Sequence, residues 1–305
     1  MRVGRVRVID ATIARFGPDG VPLAILGAPK GQQTRFYVAR DEQGRAQPSG
    51  NLTKQAAGYR TGKGLRGRKV YPHHLGLPPD HWDNPTEDRT AKPVEARIYQ
   101  EYRRPQDSKG ESRDDQNRSV EDWIAAGSVF EFELQVTNLA QVELGALLYL
   151  LTLPEGQFLR FGGGKPLGFG SVRLQLVAEG LDLADGSALA AEYKAFGEHG
   201  PAGEQIRDLG ALSAPIEAFR RAAVEQFGPG ASFDTISFIA AFRRACTGFE
   251  DGLPTHYPRT RPPGASGHTA PRPEGLSYEW FDRNERGEYY LSLPDLEDDP
   301  GLPLF

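Results

Sequence analysis

Apolar and polar residues alternate at the start of the chain and again, more regularly, near its middle. Val3, Val6, Val8, Ile9 and Ile13 mark residues 3–13 as an opening or edge strand. Arg35-Phe36-Tyr37-Val38 reads as a second short strand. From Val129 to Val136 the pattern is strict, with Phe130, Phe132, Leu134 and Val136 on one face of a strand. Asn138 is placed to cap a helix, and Gln141 three residues on resembles the partner in a capping box. Leu139, Val142, Leu147, Leu148 and Leu151 then form a helical stripe, which Pro154 must end. Phe158–Phe161 leads into a glycine-rich stretch, and Ser171–Val177 alternates once more through Val172, Leu174 and Leu176. The local order is strand, helix, glycine-rich loop, strand. Three helices are predicted within 187–247: Ala188–Phe196, Pro215–Phe227 behind Ser213, and Thr235–Cys246 with Ile236, Ile239, Ala240 and Phe242 on one buried face.

Between these elements the chain is polar. Residues 40–64 and 76–93 read as loops, with Val70-Tyr71 a brief strand between them. Arg103 to Ser119 is nearly all polar, too long and too charged for a packed connection. Residues 254–275 are proline-rich and predicted to be extended, Tyr278-Glu279-Trp280-Phe281 is a short aromatic anchor, and the tail to Phe305 is irregular. The predicted organisation is a core over 1–180 with loop insertions at about 40–69 and 103–119, a helical subdomain over 181–253, and a proline-rich, acidic segment over 254–305.

Charge changes this picture locally. The net charge of -5 argues against a global nucleic-acid footprint, so any such role rests on local patches. Gln43 to Pro79 carries Arg45, Lys54, Arg60, Lys63, Arg66, Arg68 and Lys69 without one acid, whereas nine acids crowd Glu274 to Phe305. The basic stretch predicts phosphate contact, with Tyr59 and Tyr71 available to stack on bases. The competing expectation is a solvated loop. Cys246 is the only cysteine, which excludes an internal disulfide and a cysteine cluster for zinc. Met1-Arg2-Val3-Gly4-Arg5 opens a strand pattern rather than a signal peptide, and no run of about 20 apolar residues is present. The expectation is a cytoplasmic protein with no membrane partner.

Five glycines and one lysine fill Gly162-Gly163-Gly164-Lys165-Pro166-Leu167-Gly168-Phe169-Gly170. Glycine at this density lets backbone approach a ligand closely, and free amides beside a cation suit a phosphate. A nucleoside-triphosphate P-loop is excluded twice, by Leu159 where its first glycine belongs and by Pro166 after Lys165. A dinucleotide fingerprint starting at Gly162 would need its last glycine at Leu167, and the loop precedes a strand, not a helix. A tight hairpin or bulge without a ligand, and an RNA-backbone loop on a ferredoxin-like or RRM-like module, are the readings left.

A wider set of residues resembles one family. Gln116-Asn117-Arg118-Ser119, Asp122-Trp123, Asn138-Leu139, Glu143-Leu144-Gly145-Ala146-Leu147-Leu148 and Gly163-Gly164-Lys165-Pro166-Leu167-Gly168-Phe169-Gly170-Ser171-Val172 resemble the RAMP superfamily of CRISPR-associated proteins. The nearest likeness is to backbone-type subunits of type III effector complexes. Gly67-Arg68-Lys69-Val70-Tyr71-Pro72-His73-His74, Tyr257-Pro258-Arg259 and Glu279-Trp280-Phe281 with Asn284-Glu285 resemble one subgroup of these proteins.

The resemblance implies an α+β fold with a ferredoxin-like core, and binding of CRISPR RNA, and possibly target RNA, among other effector subunits. Gly162, Gly163, Gly164, Lys165, Gly168 and Gly170 would meet RNA phosphate. Lys63, Arg66, Arg68 and Lys69 from the basic stretch, with Asn117 and Arg118, complete the expected RNA-binding set. The subgroup usually carries a further N-terminal half with a Ser/Gly-Leu-Lys/Arg-Gly motif. Gly64-Leu65-Arg66-Gly67 only partly echoes it, which implies a split protein or a partner chain supplying that half.

No catalytic residue, metal site or cofactor is assigned. His73 and His74 are adjacent, so on a strand they point to opposite faces. Asp107, Asp114 and Asp115 lie in the polar loop where a metal-dependent endonuclease of the superfamily would keep an acid. RNA cleavage and a purely structural assembly role are the two alternatives to RNA binding.

Overall fold

The N-terminal alternation finds its partner far along the chain. In the computed structural model Arg2–Val3 pairs antiparallel with Leu134–Gln135, and Arg7–Asp10 with Val129–Glu131. The structure describes residues 1–15, 21–22, 31–47, 52–67, 70–73, 93–94, 98–99, 119–194, 205–206, 208–248, 260, 264, 277–293 and 296. Helices and small antiparallel strand pairs together make an α+β chain. Among the described residues no helix is long and apolar enough to cross a membrane.

The chain forms two compact units. The first comprises Met1–Ile13, Ile124–Leu159 and Val172–Ala240. Its ribbon breaks the expected Val129–Val136 strand into Val129–Glu131 and Leu134–Gln135. The cause is register. The Gly4 amide bonds the Glu133 carbonyl at 2.8 Å, while Arg7 lies opposite Glu131. Three positions on one strand thus meet two on the other, and the ladder slips. A second irregularity falls between Val8 and Asp10.

Helix α1 spans Gln141–Leu151. Its cap is not Asn138, which instead takes a left-handed turn conformation (φ 56°) that asparagine tolerates. The helix starts behind Ala140, whose amide donates to the Glu143 carboxylate at 2.8 Å. This is the reciprocal half of a capping box, since alanine has no acceptor of its own to offer. Helix α2 (Gly186–Lys194) and helix α3 (Ser213–Phe227) come next in the chain. The strand expected over Ser171–Val177 shrinks to Ser171–Val172; among the described residues its pairing is with the two-residue strand Leu159–Arg160, which sets its length.

α1 and α3 touch at a glycine. A Cβ on Gly145 would lie 2.0 Å from the Pro215 carbonyl oxygen, so the two backbones meet there. Beside that contact Tyr149, Phe219 and Phe233 form an aromatic triangle with centroid separations of 5.4–5.8 Å. The Arg220 guanidinium stands 5.5 Å from the Phe233 ring centroid. Ala223, Ile236 and Ile239 close the core under Phe219, Val224 and Phe233. The expected apolar face of the last helix is therefore real at Ile236 and Ile239, and that helix, α4, spans Ser237–Thr247.

The second unit comprises Ala14–Trp123, Arg160–Ser171 and Ala241–Phe305. Thr34–Phe36 is a turn of 3₁₀ helix rather than the expected strand over 35–38; only Val38 bridges to Leu65. Four residues of alternation are too few to decide between strand and turn. Helix α5 spans Ser277–Arg286, and its Trp280 is wholly buried. Phe281 packs edge-on to Phe36 at 5.6 Å. Asn284 grips Leu291 through both backbone groups, at 2.8 and 3.1 Å. Arg35, 2 % exposed, bonds Glu285 at 3.2 Å and stacks 4.4 Å over the Tyr290 ring. The aromatic anchor is thus one turn of a longer helix, and 277–293 is tied to 34–47.

Candidate functional site

The glycine stretch folds as a closed turn. The Phe161 amide bonds the Gly170 carbonyl at 2.8 Å. Between them Lys165–Leu167 makes a 3₁₀ turn flanked by Gly164 and Gly168, both left-handed (φ 66° and 94°). Two glycines are compelled by packing. A Cβ on Gly170 would lie 1.8 Å from the Phe161 carbonyl oxygen, and one on Gly164 would lie 2.7 Å from the Phe169 ring. Phe169 in turn meets Trp123 edge-on at 6.4 Å.

The other end of the turn is open. Gly162 and Gly163 are exposed, and a Cβ on either would meet nothing. Among the described residues the amides of Gly162, Gly163 and Gly164 have no carbonyl partner. Lys165 bends back so that its Nζ donates to the Gly162 carbonyl at 2.5 Å. The result is three unspent N–H groups with an ammonium beside them, the composition of a backbone anion cradle.

Arg160 holds this turn from beneath. Its guanidinium donates to the carbonyls of Tyr71, Pro72 and Phe169 and to the Ser171 hydroxyl. Burial pulls its pKa down to about 10, so it stays charged at neutral pH. Ser171 also meets His73 Nδ1 at 2.6 Å. His73 is 4 % exposed, and its carbonyl lies 2.5 Å from where a Gly248 Cβ would stand. His73 is thus a brace between the glycine turn and the end of α4, not an exposed acid or base. Arg160 was not foreseen; a basic residue between Leu159 and Phe161 in an apolar run was the available signal.

The basic stretch supplies a second surface. Lys54, Gln55, Gly58 and Tyr59, with Gly31, Gln32 and Thr34, line an open groove of about 970 Å³. Tyr59 is 57 % exposed there. Lys63 and Arg66 have internal acceptors: Lys63 Nζ donates to the Ala56 carbonyl at 3.0 Å, and Arg66 donates to the Leu293 carbonyl. Both cations thus hold the loop in shape. Arg68, Lys69, His74, Asn117, Arg118, Asp107, Asp114 and Asp115 lie outside the described residues. Among the described residues no cluster of three or more His, Cys, Asp or Glu side chains could hold a metal ion.

No family model matches this chain, and no curated protein matches it. The chemistry of the turn therefore carries the functional reading by itself.

Proposed function

We propose that this chain binds single-stranded RNA by its phosphate backbone, as the CRISPR RNA-binding subunit of a type III-like antiviral effector complex with a ferredoxin-like core. The observation that supports this reading is the open end of the glycine turn. Among the described residues three amides without a carbonyl partner stand beside Lys165, and a Cβ on Gly162 or Gly163 would meet nothing within 4 Å, a composition suited to phosphate. The exposed Tyr59 and the groove with Lys54 supply a stacking face and a further cation within the same unit. Target choice in such a complex comes from base pairing with the guide, so the protein needs only backbone contacts. His73, buried and bonded to Ser171, braces the turn in this reading. The remaining partners in this reading are target RNA and neighbouring effector subunits.

The test is fluorescence anisotropy with labelled single-stranded RNA on the full chain. Gly163→Glu places an anion in open space and costs little folding energy, so circular dichroism should be unchanged while RNA affinity falls about tenfold or more. RNA binding equal to that of the wild type in Gly163→Glu and Lys165→Glu would remove the turn from the interface. Failure of the wild type to bind any RNA would end the reading.

A further inference from the structure

The N-terminal ribbon has two unlike faces. Arg7 and Glu131 are cross-strand partners, and their side chains form an ion pair at 2.8 Å on one face. The next pair, Val8 and Phe130, points to the other face. Phe132 and Leu134 succeed Phe130 at the strand period, Val6 precedes Val8 by two, and Val3 sits opposite Leu134. One face is therefore Val3, Val6, Val8, Phe130, Phe132 and Leu134.

This apolar face is uncovered. Val3 and Val6 are each 53 % exposed, Val8 64 %, Phe130 40 % and Phe132 39 %. Among the described residues each strand of the ribbon pairs with only one other, and a two-stranded ribbon is marginal in water without a layer packed on it. The ordinary solution is a second sheet about 10 Å away.

We infer that a second copy of this chain supplies that layer, the two ribbons stacking apolar face to apolar face about a two-fold axis along the strands. Two properties of the face argue for a copy of itself. The first is volume. One strand contributes only valines, the other two phenylalanines and a leucine. A dyad parallel to the strands lays the valine row of each copy over the bulky row of the other, so small meets large throughout. The second is area. The half-exposed side chains offer on the order of 500 Å² per copy, hence about 1,000 Å² together, the size at which specific interfaces begin. Such an interface is isologous and closes on itself as a dimer. The inference is independent of RNA binding.

Sedimentation velocity of the full chain over a concentration series tests it. The wild type should run as a dimer that dissociates on dilution, and Val8→Glu with Phe130→Glu should run as a folded monomer by circular dichroism. Arg7→Ala, on the charged face, should remain dimeric. Should the double variant misfold, crosslinking decides. Cys246 is buried with its thiol pKa pushed up to about 11, so it stays silent at neutral pH. Val8→Cys should then be trapped as a dimer by a short bismaleimide, and Arg7→Cys should not. A wild type that is monomeric at every concentration overturns the inference. So does a dimer that survives the double variant, or one trapped equally from both faces. Pairing of this face only with a different protein overturns it too.

Discussion

Gly145 and Gly163 are both glycines, yet they stand in opposite surroundings. At Gly145 two helices meet so closely that a single added carbon would overlap the Pro215 carbonyl. At Gly163 the same carbon would meet nothing. The helix contact uses glycine to bring protein against protein. The open end of the turn uses it to leave backbone N–H groups uncovered. A run of glycines is therefore not one signal, and what a Cβ would touch separates the positions that build the fold from those that stand open.

The contrast is most severely tested at the packed positions. Gly145→Leu should cost well over the roughly 1–3 kcal/mol typical of overpacking, because backbone rather than a pliable side chain stands in the way. Chemical denaturation should show loss of the cooperative transition or a large fall in its midpoint. Gly170→Ala should come next. It combines a left-handed φ of 78° with a Cβ 1.8 Å from the Phe161 carbonyl oxygen, and a loss of at least about 2 kcal/mol is expected in the same measurement. Arg160→Met keeps much of the side-chain bulk but leaves the Tyr71, Pro72 and Phe169 carbonyls without their donor. About 1–3 kcal/mol should be lost, with hydrogen exchange quickening at 71–73 and 161–170 before elsewhere. Gly163→Ala should do almost nothing, within about 0.5 kcal/mol of the wild type, in the same denaturation experiment. Equal penalties at Gly163 and Gly170 would dissolve the distinction.

Much of the helical architecture was legible because it rests on apolar spacing over ten or more residues. α3 and α4 fall close to their predicted places, with Ile236 and Ile239 buried as their spacing implied. Short elements were not legible. Arg35–Val38 has strand-like alternation, but its conformation answers to Glu285, Tyr290 and Phe281, all far along the chain. Val129–Val136 has the right faces, but only pairing could show the slip opposite Gly4 and Arg7. The glycine-rich stretch was visible as a loop between an apolar segment and a strand. Its division into compelled and open glycines was not, since that depends on Phe161 and Phe169 folding back on it. Lys63 and Arg66 each give a donor to a carbonyl of their own chain, a contact that charge counting does not reveal.

The most direct test of the central claim is the salt dependence of RNA affinity for the wild type and Lys165→Glu, each measured across a range of monovalent salt. The expected result is a steep fall for the wild type, with a logarithmic slope of about −0.7 for each phosphate neutralised, and a slope shallower by about one contact in Lys165→Glu. An affinity that ignores salt, or a slope that Lys165→Glu leaves unchanged, would contradict a phosphate cradle at the glycine turn.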